Sequence, residues 1–289
     1  VNLKSAVKAY NRKMRRRGLA GLDTAIILIA FIITASVLAY VAVNMGLFVT
    51  QKAKSTITKG EETASTALTL SGSVLYSVNY PTDTQSYWIY FPVSPSSGVS
   101  SVELSPATTA ISFTASSSGI QLSNIYALSL LGYVSNSNLN THYFTTVSND
   151  TSGGQTYYYF SSPYAALVAI YNLNQTGTMP SAWNNYLEVS TAKPTVGSYF
   201  SFLYQGTTFY VKVLRTFAFT FPIAGFSLAG SYVAPAGSTI GVMVLFGPHV
   251  GSNVFQYQTV TVQITPNIGS PLTVSEYVYQ PEGNVTIIG

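Results

Sequence analysis

The sequence predicts an α+β protein: a long apolar N-terminal helix followed by an antiparallel β-sandwich. Residues 24–50 carry no charged side chain, a run of 27 positions between Asp23 and Lys52. Beyond residue 70 the texture changes to short runs of alternating polarity, punctuated by Gly, Pro, Ser and Asn. Three segments follow: 1–18, a basic leader; 19–70, the helix; and 71–289, the β domain.

The leader holds seven of the thirteen basic residues, Lys4, Lys8, Arg12, Lys13, Arg15, Arg16 and Arg17, with no acid among them. From residue 19 onward six basic residues face nine acids, so that part of the chain is net −3. The high isoelectric point therefore belongs to the leader. A nucleic-acid reading of that isoelectric point loses its support, since the remainder has no basic patch to neutralise phosphates.

In the helical segment, Ile26, Ile27, Leu28, Ile29, Phe31, Ile32 and Ile33 cover every side of a helix. The whole circumference must then be buried in lipid or protein, which excludes a soluble amphipathic helix. Twenty-seven residues at 1.5 Å each make roughly 40 Å of helix, more than the ~30 Å hydrocarbon core of a bilayer. Small residues at Ala35, Ala39, Ala42 and Gly46 are three or four apart and form a stripe along which another helix could approach closely. Small residues are also frequent in membrane helices generally. After Gln51 the pattern turns amphipathic, with Ala53, Ile57, Ala64 and Leu68 at helical spacing, so one helix is expected to reach about Leu70, softened at Gly60.

The β domain is expected to contain a strand over residues 86–93 and a hairpin joining residues 199–204 to 207–213 through Gln205-Gly206. Residues 260–265 alternate strictly, as a half-buried strand should. Several such runs separated by turns suggest a sandwich of about 200 residues.

Charge makes up only 8% of the chain, against roughly 25% in ordinary soluble domains, so the surface is polar but uncharged. The absence of cysteine excludes disulfides, thiolate catalysis and cysteine-based metal sites. Three N-glycosylation sequons, Asn149-Asp150-Thr151, Asn174-Gln175-Thr176 and Asn284-Val285-Thr286, fit a surface displayed outside the cell.

A secretory signal is cut after a core of about 7 to 15 apolar residues. Here the apolar run is longer, and the favourable cut precedes it, between Gly18 and Leu19. Such a cut removes the charges that orient the helix and leaves the helix on the mature protein. A subunit stored in the membrane could then exchange lipid for neighbouring helices.

These residues carry a resemblance. Arg16-Arg17-Gly18 followed by Leu19-Ala20-Gly21-Leu22-Asp23 resembles a class III signal peptide, cleaved by an archaeal prepilin peptidase between Gly18 and Leu19. The stretch from Gly46-Leu47-Phe48-Val49-Thr50-Gln51-Lys52-Ala53 to Gly60-Glu61-Glu62-Thr63-Ala64 is similar to archaellins, the archaeal flagellins, particularly those of thermoacidophiles. The likeness is specific over residues 15–70. It implies a helical homopolymer, the archaellum filament, with N-terminal helices at its axis and β domains outside. It also implies a membrane-held precursor, a membrane assembly platform and a motor ATPase. One position departs from the pattern: Asp23 stands where many archaellins have glycine and pilins have an acid. Asp23 is the only acid before Glu61, and so is a candidate partner for the new amine at Leu19; the alternative is that it caps a helix beginning near Thr24.

No catalytic constellation, cofactor motif or metal site is apparent. His142 and His249 lie apart in loop-like stretches without carboxylate neighbours. Asp150, beside Gly153-Gly154, reads as a turn residue rather than a calcium ligand. The aromatic cluster Tyr157-Tyr158-Tyr159-Phe160 with Tyr164 is either a sticky platform or packed strand, and packing is favoured. Besides an archaellin, the sequence admits an adhesive archaeal type IV pilin and a membrane-anchored surface enzyme or binding protein.

Overall fold

A computed structural model describes residues 3–64, 67–80, 84–132, 147–152, 155–175, 185–226, 232–254, 256–281 and 283–288. The chain divides into two units, residues 1–60 and 61–289.

The first unit is helical. Helix α1 runs Leu3–Ala64, 62 residues, or about 93 Å at 1.5 Å per residue. No proline occurs before Pro81, so nothing in the segment lacks an N–H or clashes with the preceding turn. The helix passes through Gly60 without interruption. It stops at Ala64 rather than near Leu70, because β1, Leu68–Leu70, pairs antiparallel with residues 93–95. Ala67 and Leu68 are buried in the core of the β domain. Helical spacing is a weak preference, and here strand pairing with burial overrides it.

The second unit is built on a central sheet. Its strands are β2 (Leu75–Val78), β3 (Ser86–Pro95), β7 (Tyr126–Ser129), β13 (Phe217–Ala224), β15 (Thr239–Leu245) and β18 (Val285–Ile287), in the order β18-β2-β3-β15-β13-β7, with β1 beside β3. All these pairings are antiparallel except β7 with β13, a parallel contact that departs from the wholly antiparallel expectation. Strands β13 and β15 are almost continuously buried, as strands covered on both faces must be.

One face of the central sheet meets a four-stranded sheet, β17-β16-β5-β6, formed by β5 (Ala110–Ala115), β6 (Ile120–Leu122), β16 (Gln258–Thr265) and β17 (Leu272–Val278). Between them lies a core containing Tyr76, Phe91, Phe113, Val244, Phe246, Val262 and Ile264. This is the expected sandwich. Strand β16 alternates buried and half-buried residues as its sequence predicts.

The opposite face carries a third layer. Helix α2, Pro163–Gln175, and a small sheet of β10 (Leu187–Ser190), β11 (Phe200–Tyr204) and β12 (Thr207–Val213) cover Trp88, Phe217, Phe219, Phe221 and Met243. Ser162 starts α2, its Oγ accepting the Ala165 N–H at 3.2 Å, and Pro163 occupies the first turn, where its missing N–H costs nothing. The β11–β12 hairpin turns at Gln205-Gly206, both at positive φ (47° and 80°), the backbone a two-residue hairpin demands. The remaining strands are β4 (Ser101–Glu103) with β14 (Val233–Pro235), and β8 (Val147–Ser152) with β9 (Gln155–Phe160).

Candidate assembly and display surfaces

Within α1 the stretch Gly21–Ile57 is long and apolar enough to cross a membrane. Its large side chains are exposed on all sides, among them Ile26, Phe31, Leu38, Tyr40, Val43 and Phe48. The Ser and Thr hydroxyls of the uncharged run are satisfied within the helix. Thr34 Oγ1 donates to the Ala30 carbonyl (2.9 Å), Ser36 Oγ to Ile33 (2.8 Å), Thr50 Oγ1 to Gly46 (2.8 Å) and Thr24 Oγ1 to Gly21 (3.3 Å). Apart from Asn44 and the Tyr40 hydroxyl, residues 24–50 present hydrocarbon and self-bonded polar groups, the surface that lipid or other helices require.

Ala35, Ala39, Ala42 and Gly46 are all helical and exposed. At 100° per residue they fall within about 60° of one another, one narrow stripe. Asp23 is exposed and lies well inside α1, whose first residue is Leu3, so in the uncut chain it does not cap the helix. It stands four residues after Leu19, one turn along the same face, with its side chain directed toward the N-terminus as helical side chains are. Gly18 and Leu19 are in the helix; the Leu19 side chain falls outside the described residues.

Of the sequon asparagines, Asn174 is exposed in the last turn of α2, and Thr176 lies outside the described residues. Asn284 is exposed beside the edge strand β18. Its Oδ1 accepts the Tyr80 N–H (3.3 Å) and its carbonyl accepts the Val78 N–H (3.1 Å), while Thr286 Oγ1 is buried without a partner among the described residues. Asn149 is in β8, with its side chain outside the described residues.

Asp150 is a strand residue, paired with Tyr157 in the β8–β9 hairpin, rather than the expected turn residue; Gly153-Gly154 themselves lie outside the described residues. Phe160 packs edge-on to Phe221 at 6.0 Å, and Tyr164 stacks on Phe202 at 4.6 Å, so these two belong to the core. His249 is in the short helix α3, Pro248–Gly251, and His142 lies outside the described residues. Among the described residues no three His, Cys, Asp or Glu side chains gather to hold a metal ion. Sequence reasoning passed over Arg215, which lines an open cavity with Gln121, Asn124 and Thr216. Its signal was rarity, since it is the one arginine after residue 17.

A long helix with exposed apolar side chains, followed by a layered β domain, is the arrangement of a membrane-anchored or filament-forming protein. The comparisons decide between these. The family model for archaeal-type flagellin matches residues 18–191. Flagellin FlaB2 of Saccharolobus shibatae is 62% identical, with all of both chains covered. Probable flagellin 1 of Aeropyrum pernix is 44% identical over 97 residues, 34% of this chain and 46% of that one. Among solved structures, the archaeal flagellum of Methanospirillum hungatei covers 93% of this chain and 99% of its own at 15% identity, with a TM-score of 0.38. The chain belongs to the archaeal-type flagellin family. It is a structural subunit, not an enzyme, of the extracellular archaellum filament, which assembles from identical subunits.

Proposed function

We propose that the chain is held in the cell membrane by residues 24–50, cut between Gly18 and Leu19 by a prepilin peptidase, and polymerised through the helix that the cut leaves behind. The observation that carries this is the exposed apolar surface of residues 24–50, whose Ser and Thr hydroxyls bond within the helix. Such a surface is stable in lipid before assembly and among neighbouring helices after it. Ala35, Ala39, Ala42 and Gly46 form the line of close approach. A membrane platform and a motor ATPase supply the work of drawing the helix out of the bilayer, and the β domain, carrying N-linked glycans, faces outward.

Removal of residues 1–18 takes seven positive charges from the N-terminus and creates an amine at Leu19. Asp23, one turn along, is the neutralising partner for that amine, in its own chain or a neighbouring one. N-terminal sequencing and intact mass of subunits from native filaments test the proposal: they should begin at Leu19, and filaments retaining the basic leader would refute it.

A further inference from the structure

Beneath the start of β13 the chain forms an open cavity of about 450 Å³, within the range small ligands occupy. Its floor is apolar, from the buried Ile125 and Val250, and its rim carries Gln121, Ser123, Asn124, Arg215 and Thr216. Three segments distant in sequence converge here, the β6–β7 connection, the lead-in to β13 and α3.

The rim offers several hydrogen-bond donors. Asn124 Oδ1 accepts the Tyr126 N–H (3.2 Å), and Thr216 Oγ1 accepts the Gly247 N–H (2.9 Å). These side chains still offer the Asn124 amide N–H pair and the Thr216 hydroxyl proton as donors, beside the second lone pair of each oxygen. Arg215 adds the guanidinium, which cannot be deprotonated. It is exposed and held 5.8 Å over the Tyr186 ring. Among the described residues no carboxylate lies within ion-pair distance of Arg215; the nearby Lys212 pairs with Glu188 (3.7 Å). The cavity thus presents hydrogen-bond donors beside a guanidinium that, among the described residues, has no ion-pair partner, on a chain with very little charge elsewhere.

We propose that this cavity binds an anionic saccharide, with the carboxylate of a hexuronate on Arg215 and the Asn124 amide. Carboxylates match the guanidinium fork, and a bond with both partners charged is about twice as strong as a neutral one. A bare inorganic anion would leave most of the volume and the rim amide of Gln121 unused. A sugar ring uses both, its C–H face on Ile125 and Val250 and its hydroxyls on Gln121 and Ser123. An acidic side chain from another subunit would present only the carboxylate. The site does not depend on where the chain is cut.

Purified native filaments titrated with glucuronate, galacturonate, glucose, acetate and sulfate, followed by ligand-detected NMR and calorimetry, test this. At least one uronate should bind saturably, with glucose, acetate and sulfate each weaker by about tenfold or more. Arg215→Gln should lose roughly tenfold or more in affinity for that uronate while filament length and melting temperature stay unchanged. Asn124→Asp keeps the acceptor for the Tyr126 N–H but replaces the donor by a negative charge, and should weaken binding as well. The proposal is overturned if neither uronate binds, if acetate or sulfate binds as tightly as the uronate, or if Arg215→Gln binds like the unaltered filament. A filament structure with the cavity closed by an acidic side chain of a neighbouring copy would likewise overturn it, in favour of a subunit contact.

Discussion

The ring of Phe221 on β13 lies against Gly241, its register partner on β15, so closely that a Cβ on Gly241 would come within 2.4 Å of Phe221 Cζ. Phe221 is fixed from other directions as well, stacked near Tyr90 at 6.0 Å and edge-on to Phe160 at 6.0 Å. The glycine provides the space in which Phe221 packs with Tyr90 and Phe160.

Gly241→Ala should therefore overpack this core. Forcing a methyl group into a filled site costs about 1–3 kcal/mol. For a domain of this size that lowers the melting temperature by roughly 2–4 °C per kcal/mol. Calorimetry of the variant and the unaltered protein checks it, and an unchanged melting temperature would mean that the ring moves aside freely.

The response to pH should be asymmetric. The domain from residue 71 onward has only six carboxylates, so acid has few groups to protonate, and the filament should persist between neutral pH and pH 3. On the alkaline side, burial pushes the phenols of Tyr76 and Tyr126 well above the ordinary value of 10.0, outweighing the hydrogen bonds from Ser86, Ser129 and Thr220 that lower them. Below pH 10 both phenols are neutral whether the domain is folded or not, and their contribution is fully present. Above it the unfolded chain releases protons that the folded chain retains, so stability falls by about 1.4 kcal/mol per pH unit for each group. Melting temperatures measured from pH 3 to 12 should be level at first and then drop beyond pH 10; depolymerisation on the acid side would contradict the account.

Asp23→Asn separates charge pairing from a merely local helix effect. Asparagine caps a helix about as well as aspartate but cannot neutralise an amine. An unpaired ion in an apolar bundle costs several kcal/mol. Fewer and shorter filaments with normal processing are therefore expected by electron microscopy, and filaments of normal number and length would reduce Asp23 to a local role.

Asn174 and Asn284 are both exposed, so glycans there meet no steric barrier from their own side chains' surroundings. With so little surface charge, bulky hydrated sugars supply the solubility that ionised groups give other proteins. Glycopeptide mass spectrometry should find at least one of Asn149, Asn174 and Asn284 occupied, and three bare sequons would refute glycan display.

The elements legible in the sequence were those whose pattern is local. Helix α1 announced itself through an unbroken apolar run, the β11–β12 hairpin through Gln205-Gly206, and β16 through strict alternation. Helix α2 gave no periodic signal because residues 165–170 are all buried, leaving no polar face to alternate with. Its Ser162-Pro163 start was the readable mark. The early end of α1 was hidden because Leu68 continues the helical spacing, and only its burial in the β-domain core diverts it into a strand. The Arg215 cavity was not legible at all, since its three contributing segments meet only in the fold. The helical stripe was legible in full, because 3.6-residue periodicity alone fixes which of its residues share a face.

The subunit should polymerise through the helix exposed by cleavage before Leu19. Electron cryo-microscopy of filaments sheared from cells tests it most directly. A bundle of helices along the filament axis is expected, each beginning at Leu19, with the Ala35, Ala39, Ala42 and Gly46 stripe at points of close helix contact and the β domain outside. Density that begins within the basic leader, or an axis built from the β domain with the helices at the periphery, would contradict it.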